Sequence, residues 1–253
     1  MKEINRRKFI ASATISVGGL LCLDKTGNGV TDRLSERQQP SIRLKGCRNS
    51  SIKHWDVITI GNLSRNRYWG ESDERPLHSA ICTCTVITGE NFHLIVDPSI
   101  ADESTMANEL KRRTGLTPDD FDFVFITHHH GDHVAGLRHF TKGRWLAGEM
   151  TASELNKSKN FPKAIETAGN SLFGAIDVLE TRGHSPDHSS LRFDYKGLSV
   201  VIAGDAVATY DFWVEKRMYY NVLDPEEAKK SLEKINSIAD VIVPGHDNYF
   251  LNL

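Results

Sequence analysis

The amino-acid sequence predicts an α/β protein built from two sheets, each with its own helices. Short apolar runs typical of buried strands occur in both halves of the chain, and helix patterns accompany them in each half. No repeat of short period is visible, which argues against a solenoid. The 253 residues, 39% of them hydrophobic and 25% charged, have the composition of a soluble globular protein and suffice for a core.

The first half is predicted to open as a β-meander and then to alternate strands with helices. The helix at 102–115 is indicated by its acidic first turn, its basic last turn and Gly115, which ends it. The predicted strands are residues 56–60, 81–88, 92–97, 121–127 and 144–147. The other predicted helices are residues 134–140 and 151–159, and residues 161–174 are ambiguous.

The second half repeats the pattern of strands followed by a helix. The helix at 225–238 has Asp224 as its N-cap and Pro225 at its first position, where the fixed φ of proline is favourable. The predicted strands are residues 176–180, 191–195, 198–203 and 241–243.

The start of the chain predicts an export signal at residues 1–23. Basic residues from Lys2 to Lys8 precede a weakly apolar run that is too short for a comfortable membrane span. The pair Arg6 and Arg7, followed by Phe9, resembles a twin-arginine signal, and an ordinary secretory signal is the alternative. We therefore expect the twin-arginine export machinery as a partner and a periplasmic or other extracytoplasmic location, with anchoring by an uncleaved signal left open.

A polar linker is predicted at residues 24–50, followed by one domain at 51–253. The net charge of −2 gives no electrostatic reason to expect nucleic acid as a partner, and we expect a small-molecule substrate instead. Cys82 and Cys84 share one face of a predicted strand and are expected to be strand residues rather than a disulfide or metal pair. The state of Cys47 and the oligomeric state are not readable.

A cluster of histidines and acids directly follows the strand at 121–127. Three imidazoles and a carboxylate would repel and desolvate one another unless they shared a positive ion, and they are donors that zinc accepts. Residues two apart point the same way, so the first two histidines can share one ion while the other donors face a second. The cluster therefore predicts two metals, against the alternative of a polar loop with incidental histidines. Its members are His128, His130, Asp132 and His133.

Three later strands each end at one more donor. His184, Asp205 and His246 follow the strands at 176–180, 198–203 and 241–243, and a glycine beside each lets the backbone turn sharply.

The ordered set of donors resembles that of the metallo-β-lactamase superfamily of hydrolases, over residues 56–250. The resemblance implies a four-layer αββα sandwich with the metals at one edge, between two sheets. It assigns the first zinc to His128, His130 and His184. It assigns the second zinc to Asp132, His133 and His246, and makes Asp205 the bridge.

The bridging Asp205 favours the lactonase, glyoxalase II and nuclease-like branches over true β-lactamases. The residues around Asp205 and His246 look most like the acyl-homoserine lactonase group. Two positions depart from that group: Ala208 stands where lactonases carry a tyrosine, and Asp187 stands where glycine is usual. We expect Asp187 to be tolerated because aspartate accepts left-handed backbone geometry more readily than most residues.

The expected chemistry is hydrolysis of a small ester, lactone, thioester or similar bond by a hydroxide bridging two zinc ions. Asp132 is the expected catalytic residue, since it would orient that nucleophile and carry a proton. His129 and His188 are expected to support the ligands. The alternative is an oxidoreductase like the persulfide dioxygenases, with one iron. Manganese, a metal-binding role without catalysis, a β-lactamase and a phosphodiesterase or nuclease are further alternatives.

Specificity is expected to lie in loops at 62–78, 161–174 and 210–221, because loops over a rigid site commonly select the substrate. Their aromatic side chains could line an apolar pocket or could equally be packing residues. The pocket candidates are Tyr68, Trp69, Tyr210 and Trp213.

Overall fold

The computed structural model describes residues 52–66, 70–71, 77–219 and 221–253. The predicted export signal at 1–23 and the predicted linker at 24–50 lie outside these residues, as do Tyr68 and Trp69. Within the described part of the chain, no helix combines the length and the apolar character needed to cross a membrane.

The first sheet has six strands whose order in space follows the chain. The first three strands form the predicted antiparallel meander, and the remaining pairs are parallel. Ile81 forms only an isolated bridge with Asn62, so the second strand begins at Cys84, later than predicted. The strands are β1 (Ile52–Thr59), β2 (Cys84–Gly89), β3 (His93–Val96), β4 (Phe123–Ile126), β5 (Arg144–Ala147) and β6 (Glu166–Thr167).

The second sheet also has six strands, in the order β12-β11-β10-β9-β8-β7. All of its pairs are antiparallel except the pair of β10 with β11. The strands are β7 (Ser171–Leu172), β8 (Ile176–Glu180), β9 (Ser189–Tyr195), β10 (Leu198–Gly204), β11 (Val241–Pro244) and β12 (Phe250–Leu251). The ambiguous segment at 161–174 thus supplies one short strand to each sheet, and β12 was not predicted.

Two of the long helices have the ends that the sequence predicts. The side chain of Asp102 accepts a hydrogen bond from the Thr105 N–H, and Gly115 closes the helix with φ of 78°. Asp224 likewise accepts from the N–H groups of Glu226 and Glu227. The helices are α1 (Glu103–Thr114), α2 (Glu149–Lys157), α3 (Tyr210–Val214) and α4 (Pro225–Ile238).

The helix predicted at 134–140 is wrong. This stretch forms only a 3-10 turn at Leu137–His139. The Gly136 N–H donates to the carbonyl of Pro98 at 2.7 Å, outside the segment, so the backbone is held by a neighbouring loop instead of by its own helical turn. The short helix α3 was not predicted.

The buried residues define four layers. The first sheet packs its outer face on α1 and α2, for example Val86 and Val124 on Leu110 and Leu155. The second sheet packs its outer face on α4, and the two inner faces meet in a single apolar cluster. The predicted αββα sandwich is confirmed. The cluster between the sheets includes Leu94, Val96, Phe125, Leu146, Leu191, Phe193, Val200, Ile202 and Val243.

The sheet topology places donors from both sheets at one edge. Strands β3 and β4 are parallel neighbours, so Asp97 and the cluster after Thr127 follow the same ends. Strands β10 and β11 are the parallel pair of the second sheet, so Asp205 and His246 also emerge side by side.

The inner cluster gives a first test of the fold. Phe193 is fully buried between the sheets, so Phe193→Ala is expected to lower the free energy of unfolding by about 3–5 kcal/mol. Leu251→Ala, at a half-exposed position on the edge strand, is the control and is expected to change it by about 0.5 kcal/mol or less. Urea denaturation measures both, and equal effects would contradict the layer assignment.

Candidate metal centre

Four donors converge in a first set at the sheet edge. Their ligand atoms lie within 4.8 Å of one another. The Nδ1 of His130 is 2.9 Å from the Nε2 of His128 and 3.0 Å from the Nε2 of His184. Two nitrogen ligands of one tetrahedral zinc lie roughly 3.3 Å apart, given zinc–nitrogen bonds of about 2.0–2.1 Å. The separations are therefore near those of a shared ion. The set is His128, His130, His184 and Asp205.

A second set lies beside the first. Asp132, His133 and His246 also place one ligand atom each within 4.8 Å of one another. The Oδ2 of Asp132 is 3.5 Å from the Nε2 of His246 and 3.9 Å from the Nε2 of His133. These three residues are the ones that the family resemblance assigns to a second ion.

Asp205 connects the two sets through its two oxygens. Its Oδ2 is 3.2 Å from the Nε2 of His184 and 3.8 Å from that of His128, both in the first set. Its Oδ1 is 3.2 Å from the Nε2 atoms of both His133 and His246, in the second set. Each carboxylate oxygen therefore faces different imidazoles, as a ligand that bridges two ions would.

Orphaned polar atoms show that the donors fit a cation. The Nε2 of His133 and the Oδ1 of Asp205 are buried, yet neither makes a hydrogen bond of acceptable geometry within the described residues. Leaving such groups unsatisfied costs about 1–3 kcal/mol each. A metal ion between them would satisfy both, so nitrogen and carboxylate donors in this arrangement suit zinc.

The histidines of the first set have lowered pKa values. Burial, together with the neighbouring histidines, lowers the pKa of His128 well below its ordinary value and the pKa of His130 to about 4. Burial also lowers the pKa of His184. These imidazoles are therefore neutral at pH 7, which is the form that binds a metal.

The second set attracts positive charge. Burial opposes ionisation of Asp205, but the nearby His246, His133 and His184 hold its pKa well below the usual range. Burial likewise opposes protonation of His133, but the carboxylates of Asp205 and Asp97 raise its pKa well above the ordinary value. For His246, Asp205 outweighs burial in the same way and raises the pKa. A cation at this position would be stabilised by the same carboxylates.

Asp97 directly follows β3 and forms hydrogen bonds with Thr127 and His133. Sequence reasoning did not single it out. Its Oδ1 accepts from the Thr127 N–H at 2.8 Å, and its Oδ2 accepts from the Thr127 hydroxyl at 2.7 Å. The same Oδ2 is 2.9 Å from the Nδ1 of His133, which leaves Nε2 for a metal. Its place at a strand end, like the other donors, was the available signal.

Backbone carbonyls orient the second set further. The Nδ1 of His246 lies 3.1 Å from the carbonyl of Asn62 and 3.0 Å from that of Ile81. The Cys82 thiol donates to the carbonyls of Asp97 and Asp132, and burial raises its pKa to about 12. Cys82 is thus a protonated hydrogen-bond donor.

Both described cysteines, Cys82 and Cys84, are free and buried. Cys84 begins β2, whereas Cys82 lies before it, so the prediction of a strand position is confirmed for Cys84 and wrong for Cys82. Cys47 lies outside the described residues.

The two predicted supporting histidines have different places. His129 lies beside His130, with ring centroids 5.2 Å apart. The ring of His188, which was expected to support His184, lies 6.1 Å from that of His184 and 5.0 Å from that of His128, and its Nδ1 is 2.9 Å from the Thr181 hydroxyl. His188 therefore packs against two members of the first set.

The predicted pocket aromatics that are described, Tyr210 and Trp213, pack on neighbouring apolar side chains. The Tyr210 ring lies 4.9 Å from that of Phe250, and Trp213 packs against the cluster under α4. These are packing contacts, so the pocket role finds no support in them. A recess of about 410 Å³ instead lies between His129 and α2, with Met150 and Leu223 in its lining. Sequence reasoning missed it, because an exposed helix face carries no special pattern.

The reason given for tolerance of Asp187 is wrong. Asp187 is not among the described residues with positive φ, so it does not use left-handed geometry. Its carboxylate instead accepts a hydrogen bond from the Thr151 N–H at 3.0 Å.

Comparison with known sequences gives one family. The family model described as "Metallo-beta-lactamase superfamily" matches residues 80–246. An N-acyl homoserine lactonase of Bacillus thuringiensis is 28% identical over 216 residues, which cover 76% of this chain and 85% of that protein. Metallo-beta-lactamase domain-containing protein 1 of Mus musculus is 31% identical over 138 residues, which cover 52% of this chain and 50% of that protein.

Solved structures share the fold. A probable metal-dependent hydrolase from Staphylococcus aureus has a TM-score of 0.60 at 17% identity, covering 75% of this chain and 85% of that one. A mutant of AiiA from B. thuringiensis, with N-decanoyl-L-homoserine bound at its active site, has a TM-score of 0.58 at 20% identity, covering 74% and 88%.

The support from Asp97 can be tested by metal affinity. Asp97→Asn replaces one of two acceptor oxygens that serve Thr127 and His133, so zinc affinity is expected to fall by about 10–100-fold. Competition with a chromophoric chelator measures the loss. Asp119→Asn, at an exposed position on the 3-10 turn Pro118–Asp120, is the matched control. Equal zinc affinities in the two variants would contradict a supporting role for Asp97 in the metal centre.

Proposed function

The chain belongs to the metallo-beta-lactamase superfamily, and from this we propose that it is a dinuclear zinc hydrolase of a small ester, lactone or thioester. The family and its hydrolase relatives make the chain a metal-dependent hydrolase. The observation that supports two ions is the position of Asp205, whose oxygens face separate groups of imidazole nitrogens at 3.2 Å.

The donors have distinct roles in this proposal. His128, His130 and His184 would hold one zinc with the Oδ2 of Asp205. Asp132, His133 and His246 would hold the other with Oδ1. Two bound zinc ions supply a water molecule of lowered pKa and positive charge for a developing oxyanion.

Asp132 is the proposed proton-handling residue. Its side chain is the most accessible acid of the centre, at 17% exposure against 5% for Asp205. It can therefore orient an attacking water molecule and pass a proton to the leaving oxygen or sulfur, while buried Asp205 stays ionised. The Oδ2 of Asp132 is also 3.5 Å from the Nε2 of His246, close enough for both residues to be ligands of the same ion.

Relatives support a small acyl substrate. Lactonases with N-acyl homoserine substrates share 28% identity with most of this chain. Ala208, where that group carries a tyrosine, is buried with Leu63 and Phe212, so this position offers no hydroxyl to a lactone ring. We therefore propose esters, thioesters and lactones as the class, with no preference for homoserine lactones built into this position.

Metal content and activity test the function together. The purified full chain is expected to contain about two zinc ions and to hydrolyse members of a panel of esters, thioesters and lactones. Asp205→Asn is expected to lower kcat/KM more than about 100-fold, beyond the range for loss of a supporting residue, because both ions lose a charged ligand. Asp119→Asn is the control.

The result that overturns the proposal is about one iron per chain together with oxygen consumption on a sulfur substrate. Activity confined to phosphodiesters or β-lactams would also overturn the substrate class.

We further propose export through the twin-arginine machinery, on the basis of Arg6, Arg7 and Phe9. The double variant Arg6→Lys with Arg7→Lys is expected to stay in the cytoplasm of a bacterium that has this system, as measured by cell fractionation. Lys2→Gln, outside the pair, is the control. Continued export of the double variant would favour an ordinary secretory signal.

A further inference from the structure

The loop that carries His184 joins β8 to β9 and comprises residues 181–188. We infer that Asp187 is a positioning residue that fixes this loop, and with it His184, against the first sheet's helix layer. The test of this inference by zinc affinity rests on the proposed function.

Asp187 supplies a cap that α2 lacks. The N-cap of α2 is Gly148, which has no side chain to accept from the first turn. The Oδ2 of Asp187 accepts from the N–H of Thr151 at 3.0 Å, across 36 positions of sequence. The Thr151 hydroxyl returns a bond to the Asp187 carbonyl at 3.4 Å. A carboxylate is also favoured at a helix N-terminus by the helix dipole.

Gly148 makes room for this carboxylate. A Cβ on Gly148 would lie 2.5 Å from the Oδ2 of Asp187, which is closer than real atoms approach. Its φ of −58° and ψ of 158° are open to any residue, so backbone conformation gives no reason for glycine here. The close approach of the Asp187 carboxylate is the reason for glycine at this position.

The other end of the loop is held by α4. Gly183 has φ of 124°, and a Cβ there would lie 2.3 Å from the backbone nitrogen of Ala228. Its carbonyl accepts from the N–H groups of Leu223 and Asp224, both at 2.9 Å. The loop is therefore fastened to a helix of the second sheet at its start and to a helix of the first sheet near its end.

The middle of the loop is held to the rest of the protein by Thr151. Within the part of the chain that the structure describes, the hydrogen bonds from residues 185–187 to elements outside the loop both go to Thr151. Directly after the loop, the Ser189 N–H donates to the Thr127 carbonyl at 3.0 Å, so the loop's end has a second attachment to the first sheet. The Ser185 hydroxyl is buried with no partner.

Between the two fastenings, His184 approaches His130 of the first half at 3.0 Å. The Asp187–Thr151 contact, together with the bond from Ser189 to Thr127, therefore positions the His184 imidazole relative to those of the first half.

Removing the carboxylate is expected to weaken metal binding. Asp187→Ala should lower zinc affinity by about 10–100-fold in chelator competition and should also lower the Tm, because α2 loses its cap. Asp187→Asn keeps an acceptor oxygen and is expected to retain most of the affinity.

A second variant separates positioning from helix stability. Gly148→Ser in the Asp187→Ala background gives α2 its own cap, with no carboxylate left for the new Cβ to meet. The double variant is expected to regain Tm while its zinc affinity stays low. Recovery of both, or unchanged zinc affinity in Asp187→Ala, would overturn the inference and leave Asp187 as a helix cap alone.

The wild-type chain keeps the two proposals distinguishable. If it bound no zinc, the proposed function would fail and this inference with it. If it bound zinc as tightly as Asp187→Ala does, only the positioning role would fail.

Discussion

The buried carboxylate of Asp205 is the constraint on which the rest of the centre depends. It lies within 3.8 Å of four imidazoles that come from both sheets. A buried charge is tolerated only when it is paired, and buried imidazoles repel one another when protonated. The arrangement is consistent with positive charge shared between the two donor sets, and this explains why so many ionisable groups persist in an otherwise apolar edge of the sandwich.

The donors are held in place by the strand ends that they follow and by buried hydrogen-bond partners. Parallel pairs in each sheet bring donors to one edge, and the supports fix which ring nitrogen faces inwards. Asp97 and the carbonyls of Asn62 and Ile81 occupy Nδ1 of His133 and His246 and leave Nε2 for a metal. The loop of His184 is held between α2 and α4 in the same manner, by contacts that are distant in sequence.

The surroundings of the centre differ from what the aromatic residues implied. Tyr210 and Trp213 pack on Phe250 and the outer cluster, whereas a recess opens beside His129 and α2. The recess is lined by one face of α2 and by His129, which lies between His128 and His130 in the chain. Periodicity cannot distinguish such a face from any other solvated helix surface, because both carry polar residues.

The sequence by itself determined two sheets with their own helices, most strands, the capped ends of α1 and α4, and a cluster of histidines and acids after strands. These depend on local chemistry: apolar periodicity, capping side chains, and histidines and acids placed directly after strands. The four-layer arrangement was what the family resemblance implied. Only the tertiary structure decided that 134–140 is not a helix, that Asp97 supports His133, that His188 packs against His128 as well as His184, and that Asp187 caps α2. Each of these depends on a contact between segments far apart in the chain, and no local pattern encodes the partner of such a contact.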